Sequence, residues 1–546
     1  MASSLAAKIA LLDATLPSEP SLPSSVCATL SASYDQSSFS GTNAQDPSID
    51  NATAVAASAT ASNPDTATIQ AALNACASGS AVKLTTSSSG HNAFLTGPLS
   101  LPSGVTLWVD SGVTVYASRY PADYEAGTSG YCGGAFTSTP SGSGCKALIT
   151  VPQGASGSGI VGAGTIDGRG GSVLTGGPKK GLTWWDVAWT SKVSGYSSYS
   201  QNCPTMLDMS AGGKNFTLYK IALVNSPHFH VKIDSYNGVT AWNVKLLTPT
   251  LAYASSGYSS SASLSTTSLP TAPSQYYTPD QVKNTDGIDP GGSSNVTIAY
   301  SYISNGDDNI AVTASNSNSC VSTAVNGYCP STTTKIAHNY LYYGHGMSVG
   351  SGTAGGVSGL NVWDLSIDGK GSSNGAGLRI KSYVGSGGTV SASYTKVCMQ
   401  NEKQPIWVDP YYSSSSSTTL YPSFGTISYD TIHVVTSSSL ATYTGGSVSM
   451  NGYSASYPAT FTLDNIYFDT APTWAAPTKA SGWTGTTDYA NFTIGSQSTY
   501  NFNPPVSSGT GDSLSGTPNS YSGTVLDCSA AFPTFSAATG RTDSPI

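Results

Sequence analysis

Asn284-Thr285-Asp286-Gly287 and Gly306-Asp307-Asp308 decide how this chain of 546 residues is read. Asp286 and Asp307 stand 21 residues apart, a spacing that fits one coil of a solenoid whose repeats stack neighbour on neighbour. Residues one coil apart occupy adjacent parallel strands, roughly 4.8 Å from each other. The reading therefore brings three carboxylates to one surface, where like charges disfavour ionisation and are normally kept apart. An arrangement that costs free energy points to chemistry rather than to an ordinary turn.

Outward from these acids, short strand-like runs recur at 105–109, 159–162, 215–224, 239–247, 295–299, 335–337, 340–343 and 360–367. Alternation and β-branched or aromatic residues mark them as strands. Asn215 to Gly238 is a step of 23 residues and Lys335 to Gly359 one of 24. Longer gaps coincide with Ser/Thr-rich insertions at 255–278 and 315–334. The pattern predicts an all-β chain, a right-handed parallel β-helix with a short N-terminal capping helix over 66–76. Such a cap covers the otherwise exposed end of the sheets. Residues 1–60 form an extension or cap in this reading, 61–440 the catalytic solenoid, and 441–546 its last coils and tail. A β-sandwich is the rival on periodicity alone, since short strands with frequent turns suit it too.

Only 9% of residues are charged and 59 are glycine, which taken alone suggests disorder. The 32 tyrosines and 9 tryptophans argue against it, because they supply enough apolar area for a core. A net charge of −8 with no basic stripe makes nucleic acid an unsuitable partner. No apolar run approaches the roughly 18 residues of a membrane span. The apolar run at 6–12 is short and broken by Lys8, a poor export signal. Nine cysteines without a Cys/His ligand pattern fit an oxidising compartment better than zinc. Cys132/Cys145 and Cys320/Cys329 are expected to pair across loops, with Cys203 as the unpaired thiol. Secretion is the expectation.

Four motifs follow in order: Asn284-Thr285-Asp286, Gly306-Asp307-Asp308, Gly344-His345-Gly346 and Arg379-Ile380-Lys381. With Gly164-Thr165-Ile166-Asp167-Gly168, Asn225-Ser226-Pro227 and Val408-Asp409-Pro410-Tyr411-Tyr412, they resemble glycoside hydrolase family 28, the polygalacturonases, over roughly residues 60–440. The resemblance implies inverting hydrolysis of α-1,4 bonds in pectin or polygalacturonate. It implies catalytic roles for Asp286, Asp307, Asp308 and His345, and substrate binding by Asn284, Gly346, Arg379, Lys381 and Tyr412. Asp308 resembles the general acid, and Asp286 with Asp307 the pair that holds water. Asn309 stands where the family commonly has cysteine, and Pro410 replaces a more usual glutamine.

The residue types agree with this on chemical grounds. An inverting glycosidase needs one protonated acid and one carboxylate that activates water. Crowding by Asp286 and Asp307 is expected to keep the proton on Asp308. Arg379 and Lys381, two apart on one strand, face the same side and supply cations for a sugar carboxylate. His228, His230 and His338 are read as structural, and Lys283 as an addition to the cationic field. No metal or organic cofactor is expected, and a monomer suffices. Internal attack on the polymer is preferred over attack from its end. The alternatives are an exo-acting enzyme, a hydrolase of rhamnogalacturonan or xylogalacturonan, a pectate lyase, and a non-catalytic polysaccharide-binding β-helix.

Overall fold

The chain winds into parallel coils, each contributing one strand to each of three lengthwise sheet faces. In this computed structural model residues 4–546 are described apart from 40–49, 128, 135–143, 194–201, 255–257, 259–269, 275, 374, 414–418, 437–442, 477–486 and 507–509. Most of the 255–278 insertion thus lies outside the described residues. One face is an eleven-stranded parallel sheet running from Leu99–Ser100 to Thr473–Trp474. The other two run side by side and merge where single long strands, such as Ser331–Tyr343 and Val357–Asp368, span both. The fold is the right-handed parallel β-helix that the spacing predicts.

In-register stacking explains why the sequence tolerates so little charge inside. Leu218 lies over Ile160, Ala241 over Leu218 and Ile298 over Ala241, and the column continues through Ile336, Val362, Tyr394 and Tyr429. All are buried. Tyr394 and Tyr429 stack at 5.1 Å with rings 9° from parallel, a contact available only when identical positions of successive coils superpose.

One corner is turned by a left-handed residue in coil after coil: Lys220, Asn243, Tyr300, His338, Asp364, Lys396, Thr431 and Asn465 all have φ between 52° and 61°. Few of these are glycine or asparagine, so the surrounding stack imposes the conformation that a lone β-branched or bulky residue avoids.

The helix Thr66–Ala75 closes the first coil, with Ile69 and Leu73 buried against it and the Cys27–Cys76 disulfide beside it. The helix Leu5–Asp13 lies elsewhere, as a strap along the left-handed corner. Lys8 pairs with Asp430 at 2.6 Å, Asp13 accepts from Trp363 at 2.8 Å, and Glu19 accepts from Tyr219 at 2.6 Å. The strap then enters the stack as strand Val26–Ser31, paired with Ala81–Thr85. Beyond 440 the coils continue, and Cys398–Cys528 ties the C-terminal tail to the stack. Cys132–Cys145 and Cys320–Cys329 are bonded and Cys203 is buried and free, as expected.

His338 sits between Asp364 at 2.6 Å and Asp13 of the strap at 2.8 Å. Burial pulls its pKa down, but the two carboxylates outweigh burial and hold it above the ordinary value. A histidine raised on folding stabilises fully below its unfolded pKa of about 6.5 and loses that contribution as pH rises through the folded value. Thermal midpoints of the protein and of His338→Ala should therefore be furthest apart below about pH 6.5 and draw closer at alkaline pH, where the stacking on Tyr300 remains. A gap that stays constant with pH would contradict this role for the strap.

Candidate active site

The acids occupy the turns that lead into the eleven-stranded sheet. Asp286 precedes strand Ile288–Gly291, Asp307 and Asp308 lie between Tyr302–Asn305 and Ile310–Val312, and His345 lies between Ser331–Tyr343 and Met347–Val349. Register makes them neighbours, because Ile288 pairs with Ile310, Ile310 with Met347, and Met347 with Leu378. Arg379 and Lys381 follow on strand Ala376–Lys381. Asp307 and Asp308 escape the alternation of a strand by lying outside one.

Gly306 serves here through close approach: a Cβ would stand 2.1 Å from the Pro279 carbonyl oxygen and 2.4 Å from that of Val282. Gly344 and Gly346 take φ of 64° and 67°, the left-handed region. Asn309 pins the turn. Its amide donates to Asn305 Oδ1 at 3.0 Å and to the Tyr342 carbonyl at 3.2 Å, and its oxygen accepts from the Gly346 amide at 3.0 Å. Gly346 is thus buried within the turn, its carbonyl also taken by the Asn309 amide. Asn284 holds φ of 53° at the start of the Asp286 turn.

Two sets of contacts separate the paired acids. His345 Nδ1 lies 3.0 Å from Asp307 Oδ1 and 3.7 Å from Asp308 Oδ1. Asp308 accepts from Ser348 Oγ at 2.7 Å and from the Lys381 ammonium at 2.5 Å, with Arg379 at 3.8 Å. The Tyr412 ring centroid lies 5.3 Å from both cations, while Tyr411 turns away to donate to the Tyr453 carbonyl at 2.7 Å. Tyr412 is therefore the tyrosine at the site. Arg379 Nε is buried without a partner among the described residues. Lys283 is drawn towards Trp189, 5.8 Å from its ring.

The proton distribution is uneven. Burial drives the Asp286 carboxyl well above its ordinary range, and Asp307, Asp289 and Asp308 push it further. Burial would also raise Asp307, but His345, Lys381 and the Asp308 amide hold it well below the carboxylate range. Lys381 keeps its charge against burial because of Asp308. Atoms of Asp307, Asp308 and His345 lie within 4.8 Å of one another, a set able to hold a divalent ion. The Lys381 ammonium already supplies positive charge at that point.

Sequence reasoning missed Asp289. It follows inward-facing Ile288, so strand alternation turns it outward beside the acids, a signal present in the sequence. One of its oxygens is buried without a partner among the described residues, and burial followed by Asp308 and Asp307 drives its carboxyl well above the ordinary range. His230 braces the Asp286 turn, with Nδ1 2.9 Å from the Asp286 carbonyl and Nε2 2.8 Å from Thr248 Oγ1.

A sequence profile described as glycosyl hydrolases family 28 matches residues 105–482. A polygalacturonase of Ralstonia solanacearum is 43% identical over 94% of this chain and 91% of its own. An endo-polygalacturonase of Pectobacterium carotovorum subsp. carotovorum is 38% identical over 76% of this chain and 86% of its own. The solved polygalacturonase of Erwinia carotovora ssp. carotovora superposes with a TM-score of 0.63 at 34% identity, covering 84% of this chain and 97% of that one. The chain belongs to family 28 of the glycosyl hydrolases.

Proposed function

We propose that the chain is a polygalacturonase that hydrolyses α-1,4 bonds of de-esterified homogalacturonan with inversion and by internal attack. The observation that carries this is the acid cluster set directly against Arg379, Lys381 and Tyr412, with Arg379 Nε free of a protein partner. An acid–base centre beside a cationic fork suits a sugar that carries its own carboxylate. The names of the Ralstonia and Pectobacterium relatives support the substrate and internal attack. The four disulfides among the described residues support action outside the cell. A monomer has every group this reading uses.

On these contacts we assign the roles differently from the expectation drawn from the sequence. In this reading Asp308, in contact with an ammonium and a hydroxyl donor, takes a proton from water. Asp286 offers that water a buried oxygen without a protein partner. The His345–Asp307 couple, 3.0 Å apart, delivers a proton to the glycosidic oxygen. The Asp307–Asp308 spacing, within 4.8 Å, is shorter than the roughly 6.5–9.5 Å between acid and base in inverting enzymes. Stereochemistry is therefore the property to measure.

Proton NMR of freshly released reducing ends tests the stereochemistry, alongside viscosity and reducing-end assays on polygalacturonate. Newly formed β-anomers with a steep early loss of viscosity are expected. Retained α-anomers would instead make a nucleophile of one of the close pair, and unsaturated products would replace hydrolysis with elimination.

The His345–Asp307 couple has its own signature. Without the imidazole, Asp307 loses a partner that holds its carboxyl down. His345→Gln should lower kcat by about 10²–10⁴ and raise the Asp307 carboxyl towards the ordinary carboxylate range. An unchanged kcat would remove His345 from proton delivery.

A further inference from the structure

The groove floor is one row of outward-facing side chains on successive strands of the eleven-stranded sheet. On one side of the acids, Asp208 pairs in register with Lys232, and Lys232 with Asp289. On the other side Ala311 pairs with Ser348, Ser348 with Arg379, and Arg379 with Trp407. Each step is about 4.8 Å, comparable to the rise of one sugar unit, so a chain crossing the strands meets the row residue by residue.

The two halves differ in charge. The half beyond Ser348 presents Arg379 and Lys381, whose cationic groups serve the sugar carboxylate. In the other half Lys232 is already neutralised, 2.5 Å from Asp234 and 3.7 Å from Asp208. Next to it opens a cavity of about 660 Å³, roofed by the insertion that Cys320–Cys329 pins. Asn316 donates to Asp234 at 2.9 Å and Gln153 to Ser319 at 2.7 Å, which hold the roof to the floor. Apart from Ala211, the residues lining this cavity carry carboxylates, hydroxyls and amides, with no lysine, arginine or histidine among them. Between the cavity and the acids lies His228, within electrostatic reach of Asp307 and Lys232 and with Nε2 buried and without a partner among the described residues. It is a neutral hydrogen-bonding group, burial holding its pKa down at about 4.

We propose that this upstream half of the groove is a subsite region for galacturonate units whose carboxyl is methyl-esterified, while the Arg379–Lys381 half requires the free acid. The inference rests on the polygalacturonase reading. An ionised unit there would bring its carboxylate against Asp208 and Asp234 with no unspent cation to offset the repulsion. An ester carries no charge, and its carbonyl and the ring hydroxyls match amide and hydroxyl partners. The enzyme would then cut at junctions between esterified and free stretches of pectin.

The test is digestion of randomly, partly methyl-esterified homogalacturonan, with ester positions in the products mapped by tandem mass spectrometry. Esters should be accepted two to three units from the cut on one side only and excluded on the other. The paired variant Asp208→Asn/Asp234→Asn should lower KM for fully de-esterified polygalacturonate several-fold, change KM for the esterified polymer less than twofold, and reduce the asymmetry. Equal acceptance or equal refusal of esters on both sides would overturn the proposal, as would parallel KM changes on both substrates. Failure of the wild-type protein to cut polygalacturonate at all would overturn the functional reading beneath it.

Discussion

Everything at the site depends on the in-register stacking of parallel coils. Stacking fixes the distance between equivalent positions of successive coils, and the buried columns through Leu218, Ile298 and Tyr394 leave no freedom to slip, since a one-residue shift would turn every inward side chain outward. Acids placed at equivalent turns therefore cannot relax apart. The repulsion they store is balanced locally, by Lys381 and Ser348 on Asp308 and by His345 on Asp307.

That balance makes chemically different groups from identical side chains. Asp286 and Asp289 have buried oxygens with no donor and are pushed towards the protonated form. Asp307, beside an imidazole and an amide donor, is pushed the other way. Protonated and ionised carboxyls thus arise from position in the stack, the way environment separates otherwise identical carboxylates. The same floor continues past the acids in both directions, so the rows that position catalysis also set which sugar units fit beside it.

Much of this was legible in the sequence because a solenoid writes its contacts at a fixed period. The acids one coil apart, the Arg379–Lys381 pair on one strand face and the short-range cysteine pairs all follow from local spacing. Contacts that skip coils carry no such signal. The strap contact between Asp13 and His338 and the Cys398–Cys528 bond, 130 residues apart, depend on how the ends lie along the finished stack. Asp289 was readable from strand alternation but was passed over beside the denser motif. The allocation of protons was not readable, because crowding was visible in the spacing while the contacts of Lys381 and Ser348 with Asp308 were not.

The most direct test of this account is a carbon-13 NMR titration of the aspartate carboxyls in the substrate-free enzyme, with resonances assigned through Asp286→Asn and Asp307→Asn. The account predicts that Asp286 keeps its proton well above the ordinary aspartate pKa of about 3.9, while Asp307 remains ionised well below it. Similar titration of both near that ordinary value would contradict the claim that coil stacking, and the cations it recruits, sets the proton distribution at the site.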